Sequence, residues 1–220
     1  MIRRFLALFV AATLISAVSA LAAAYKVEKA GPCILAEVPE ALRATLQSEG
    51  IRVSGDGAVM YELWMRSTIP QKAGSTAVEY STVADGTFVG VIRYSVKGGD
   101  FRGQVIRPEV YLLRFQNILA DGNHMGVSPT PQYFVLTPPD ADKDPAPVAA
   151  FADLMTLCRK ASRTNHPYTL YLTEPRKRGE PGFEKEDGLW FLEAKTKAAP
   201  PGGAEVEFPF AVVLVGKAEG

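Results

Sequence analysis

Val110-Tyr111-Leu112-Leu113-Arg114-Phe115 decides how the chain is read. Tyr111, Leu113 and Phe115 fall on one side of an extended backbone, and Val110, Leu112 and Arg114 on the other. A period of two is the signature of a strand. The same alternation appears upstream, where Tyr61, Leu63 and Met65 oppose Glu62, Trp64 and Arg66. It appears again where Phe88, Ile92, Tyr94 and Val96 oppose Val89, Val91, Arg93 and Ser95. Further strands are expected at 131–137, 168–173, 188–194 and 205–215, the last with Val206, Phe208, Phe210, Val212 and Leu214 on one face.

Turn signals punctuate these runs. Asp85-Gly86 is expected to close a tight hairpin, because Asp-Gly tolerates the positive φ of such turns. Gly98-Gly99-Asp100 and Asp121-Gly122-Asn123 mark others. Two short helices interrupt the pattern. One opens at Val38-Pro39-Glu40, carries Leu42 and Leu46 and stops at Gly50. The other is capped by Asp144, starts on Pro145 and turns Val148, Phe151, Met155 and Cys158 to one side. Arg159, Lys160 and Arg163 suit the negative end of its dipole. Many short strands with two helices indicate a mainly β chain: an antiparallel β-sandwich, immunoglobulin-like or jelly-roll-like, or a partly closed barrel.

The first 24 residues read differently. Arg3 and Arg4 precede an uncharged run from Phe5 to Leu21, and small residues then crowd at Ala22-Ala23-Ala24. That order is a secretion signal with cleavage expected before Tyr25. The remaining 25–220 suits a single domain placed in the periplasm or outside the cell, with no membrane span after cleavage. The chain carries 24 basic and 24 acidic side chains, so nothing in its charge favours nucleic acid, where affinity comes from neutralising phosphates. Cys33 and Cys158 are an even pair in an oxidising compartment, where a disulfide and two buried thiols are equally compatible readings.

The polar clusters give the ligand-facing loop candidates. Both histidines follow asparagine, in Gly122-Asn123-His124-Met125 and in Thr164-Asn165-His166-Pro167. Asp100-Phe101-Arg102-Gly103-Gln104 reads as a polar loop braced by an Asp–Arg pair. Asp100, Arg102, Asp121, Asn123, His124, Asn165 and His166 are therefore the candidates. The spacing matches neither a catalytic signature nor a metal motif, so no catalytic residue, metal ligand or cofactor is assigned. Asp140-Ala141-Asp142-Lys143-Asp144 has alternate acids but Pro145 and Phe151 where a calcium loop needs glycine and glutamate.

The pieces Asp100-Phe101-Arg102-Gly103-Gln104, Gly122-Asn123-His124-Met125-Gly126-Val127 and Thr164-Asn165-His166-Pro167 resemble, in order, the D-x-R-G-Q, G-N-H-M-G-V and T-N-H-P motifs of an uncharacterised family of secreted bacterial proteins. Glu109, where that family has glycine, and the stretch around Pro131-Gln132 depart from the pattern. The resemblance implies export and one β-rich domain, and it carries no activity. The expectation is a non-enzymatic domain that binds a partner or ligand in the envelope or outside the cell, or serves there structurally. The alternatives are a metal-binding protein or metal-dependent hydrolase using His124 and His166, and a carbohydrate-binding module using Trp64, Trp190 and Tyr171.

Overall fold

The computed structural model describes residues 25–75, 77–119, 130–176 and 181–216. Among them the strands are β1 (Lys26–Gly31), β2 (Gly50–Gly55), β3 (Ala58–Met65), β4 (Thr68–Pro70), β5 (Phe88–Tyr94), β6 (Gly98–Gly99), β7 (Val105–Ile106), β8 (Val110–Asn117), β9 (Gln132–Thr137), β10 (Thr169–Thr173), β11 (Gly182–Glu186), β12 (Leu189–Ala199) and β13 (Val206–Val215). Two α-helices accompany them, α1 (Glu40–Arg43) and α2 (Phe151–Ser162).

The chain is mainly β and the pairing is dominantly antiparallel, as the alternation predicts. The strands expected in two facing sheets are joined by hydrogen bonds in one path, β1-β2-β3-β5-β8-β9-β10-β13-β12-β11, with β4 added in parallel on β12. A sheet this wide curls as its twist accumulates. Its two edges come back into contact, and Tyr25, just ahead of β1, sets its ring 4.9 Å from Phe183 of β11 and 4.4 Å from Trp190 of β12.

The curl encloses the main core. Tyr61, Leu63 and Met65 of β3 point into it with Tyr111, Leu113 and Phe115 of β8, Leu170 and Leu172 of β10, and Phe208, Phe210, Val212 and Leu214 of β13. The outer face is not solvated throughout. Trp64, Phe88, Val91 and Leu112 pack outward beneath Val38 and Leu42 of the α1 region. Val135 packs beneath Leu154, Met155 and Cys158 of α2. Burial on both faces explains why β3, β5 and β8 read as nearly continuous apolar runs.

Three local expectations are corrected. Phe88 does not share a face with Ile92 and Tyr94, because a register shift between Phe88 and Gly90 turns it outward. One extra residue in a strand reverses every side chain before it. Asp85-Gly86 closes no hairpin: Tyr80–Thr82 is a 3-10 turn, and Gly86, at φ +73, packs its backbone against that of Val148 and hydrogen-bonds Phe115. Helix α2 begins at Phe151 with Ala150 as its N-cap, not at Asp144. Pro147 holds Ala146 out of helical conformation, and Asp144 instead accepts the Ala146 N–H at 2.8 Å in a local turn.

Asp142, from the same acidic stretch, is buried against Arg114, which has no exposed surface. Arg114 donates to Asp142 through Nε (2.7 Å) and Nη2 (2.5 Å). Its other donors reach the carbonyls of Gly86 (2.8 Å), Ala146 (2.8 Å) and Asp144 (2.6 Å). A guanidinium has five N–H donors, and here every one is used. Thr137 adds a bond to Asp142 at 2.6 Å. This knot ties the 85–87 turn and the 138–148 segment to the outer side of β8.

Cys33 and Cys158 form no disulfide; both are free. Cys33 packs with the α1 cluster and Cys158 lies under α2, so the two thiols sit in separate apolar clusters. No helix among the described residues is long and apolar enough to cross a membrane.

Candidate functional site

Two loops far apart in sequence meet at one end of the sheet. The first, Asp100–Gln104, is organised by a buried carboxylate. Asp100 accepts the N–H groups of Arg102 (3.0 Å) and Gln104 (2.8 Å) on one oxygen and Gln104 Nε2 (2.7 Å) on the other. Gly103 takes φ +84, which a side chain would strain. The expected Asp–Arg brace is thus an Asp–Gln brace: Asp100 holds the backbone of Arg102 and leaves its guanidinium out in solvent. Burial raises the Asp100 carboxyl above its ordinary range, and the hydrogen bonds from Gln104 oppose that rise.

The second loop follows α2. Arg163 ends the helix in a left-handed conformation, φ 58, and turns the chain into Thr164-Asn165-His166-Pro167. Thr164 Oγ1 donates to the His166 carbonyl at 2.8 Å and accepts the His166 N–H at 3.2 Å. Gln104 joins the loops, donating to the Pro167 carbonyl at 2.9 Å, with its Oε1 3.3 Å from Thr164 Oγ1.

The clamp sets Arg102 and His166 on the lining of one cleft of about 120 Å³, with Tyr133 of β9, Tyr171 of β10 and Met155 of α2. Alternation on β10 sends Leu170 and Leu172 inward and leaves Thr169 and Tyr171 on the cleft side. Tyr171 is held edge-on by Phe101 at 4.6 Å, and Tyr133 leans on it at 5.7 Å. Burial raises the Tyr171 phenol, and the positive charge of Arg102 partly offsets this. Leu119 and Phe151 stand at the rim with 36% and 42% of their surface exposed. Arg102 makes no ion pair or side-chain hydrogen bond among the described residues.

Of the candidates, Asp100, Arg102 and His166 are brought together here, and Asn165 lies exposed in the same loop as His166. Asp121, Asn123 and His124 lie outside the described residues. Residue reading missed Gln104 as the clamp and Tyr133, Thr169 and Phe151 as lining. Only Gln104 had a sequence signal, its place in the D-x-R-G-Q motif. Among the described residues, no three His, Cys, Asp or Glu side chains are grouped to hold a metal ion. The proposed sugar platform loses its members: Trp64 is buried, donating to the Gly31 carbonyl at 2.9 Å, Tyr171 is buried, and Trp190 packs on Tyr25 and Phe183.

A larger cleft of about 830 Å³ runs between Pro138-Pro139 and the end of α2. Three of its six charged lining residues are paired within the chain. Arg163 pairs with Glu109 at 3.0 Å, and Arg93 pairs with Glu62.

No protein-family model, curated protein or solved structure matches the chain.

Proposed function

We propose that this chain is exported and acts outside the cytoplasm as a binding domain, with its ligand met at the Arg102–His166 cleft. One observation carries the binding reading. Buried Asp100, hydrogen-bonded to Gln104, ties together the loops that bring Arg102, whose guanidinium is unpaired among the described residues, and the exposed imidazole of His166 to a cleft with aromatic walls. Ligand sites combine an apolar lining with a few placed polar groups on rigid support. The export reading is supported by the basic, apolar and small-residue order of residues 1–24 and by the resemblance to secreted proteins.

Two measurements test the proposal. Intact mass of the protein recovered from periplasm or medium is expected to correspond to a chain beginning close to Tyr25; full-length chain held in the membrane defeats the export reading. Amide and aromatic resonances of the mature protein, titrated with a panel of small organic probes, are expected to move first at Arg102, His166, Tyr133 and Tyr171. A panel that leaves these residues unmoved defeats the binding reading.

A further inference from the structure

We infer that the cleft selects small aromatic carboxylic acids, one ring bearing one carboxylate. This inference rests on the binding reading above and narrows it to a ligand class. Among the described residues Arg102 supplies the only formal charge of the lining and His166 stands beside it; no carboxylate among them lines the cleft. Asp100, which organises the Arg102 loop, is buried with its oxygens taken by Arg102 N–H and Gln104. An exposed, unpaired guanidinium presents a planar fork that matches a carboxylate bidentately, and His166 can donate a further bond from the other loop.

Thr169 supplies a second, independent observation. It is 5% exposed, lines the cleft, and its Oγ1 is buried without a hydrogen bond of ordinary geometry, though it lies close enough to Tyr171 to act on that phenol. Buried hydroxyls are nearly always bonded in native proteins, and among the described residues this one has only the Tyr171 phenol near it, so an occupant with an acceptor oxygen adds a partner. The rest of the lining is apolar or aromatic: Tyr133, Tyr171, Phe151, Met155 and Leu119. Aromatic walls favour a flat ring, stacked or edge-on. Size limits the body. At about 120 Å³ the cleft falls below the ~300–1,000 Å³ of drug-sized pockets. A single ring therefore fits, and a fused polycycle does not.

The test is titration of the mature secreted protein with phenylacetate, 3-phenylpropionate and 4-hydroxybenzoate, each beside its neutral amide, by calorimetry and two-dimensional NMR. Ligands of ~10 heavy atoms reach dissociation constants on the order of a millimolar. The acids are expected to bind in that range, at least tenfold more tightly than their amides, with shifts centred on Arg102, His166 and Tyr171. Arg102→Gln is expected to weaken the acids at least tenfold while leaving the amides and the melting temperature unchanged. Arg102→Lys, which keeps charge and loses the fork, is expected to fall between. Thr169→Val is expected to weaken the acids several-fold.

Acids and amides binding equally, or Arg102→Gln without effect on the acids, overturns the inference and leaves the binding reading standing. Acid binding with shifts centred elsewhere also overturns it. Absence of binding by every acid and every amide at 10 mM, on the order of ten times the expected constant, overturns both.

Discussion

Arg114 and Arg102 are the same side chain in opposite circumstances. Arg114 has no exposed surface, and each of its five N–H groups meets an oxygen, two on Asp142 and three on carbonyls. Arg102 is exposed, and only its backbone N–H is engaged. The first is consumed by architecture: removing it leaves the buried Asp142 carboxylate without its ion-pair partner. The second is held in position by its neighbours and spends nothing on folding. In both places the buried carboxylate, Asp142 or Asp100, is met by donors.

The sharpest way to break this comparison is Arg114→Met. Leaving Asp142 charged and unpaired is expected to cost about 3–5 kcal/mol, read as a fall in the urea midpoint. The pair Arg114→Met with Asp142→Leu is expected to recover much of that loss, because it removes the stranded charge together with its partner. A single mutant within about 1 kcal/mol of the parent, or a double mutant no better than the single, contradicts the account.

Next in size is an alkaline transition. Burial pushes the Tyr61 phenol and the Cys158 thiol each up to about 12. Both are neutral acids whose folded pKa lies above the unfolded value. Their contribution is therefore complete below about pH 9–10 and is lost as pH rises towards 12, on the order of a few kcal/mol by pH 11. Phenolate absorbance is expected to appear together with unfolding; a smooth, early rise in a still-folded protein contradicts the burial.

Asp100→Ala follows. It removes the acceptor that organises the 100–104 loop, at about 1–3 kcal/mol, and is expected to disperse the NMR signals of Thr164–Pro167 through the loss of the Gln104 clamp. Smallest is Arg102→Gln, expected within about 0.5 kcal/mol of the parent in stability. A loss above about 1 kcal/mol makes Arg102 structural and erases its contrast with Arg114.

Sequence reading was reliable where one strand spoke for itself. The inward triplets Tyr61-Leu63-Met65 and Tyr111-Leu113-Phe115 are where alternation put them, and the buried face of α2 holds Met155 and Cys158 as its period required. It failed where a local signal had a distant cause. The bulge at Phe88–Gly90 leaves the letters unchanged while reversing the face of Phe88. Gly86 looks like a hairpin glycine, yet its positive φ serves a close approach by Val148 and its carbonyl serves Arg114. Arg114 is on the face that alternation assigned to it, opposite Tyr111 and Leu113, but nothing nearby in sequence announces its partner Asp142. At the site, the two motifs were visible one at a time. That Gln104 would bridge them is a property of where β8 and β10 sit relative to each other, and no spacing in the chain encodes it.

The aromatic seam between the two sheet edges carries a consequence for how the protein is made. Tyr25, Phe183 and Trp190 join opposite ends of the chain, so the first strand to emerge from the ribosome cannot complete its contacts until nearly the last one exists. Contacts this distant in sequence are slow to form. The antiparallel pairs from β1 to β9 need only residues 26–137, so the seam is the contact that waits for β11 and β12.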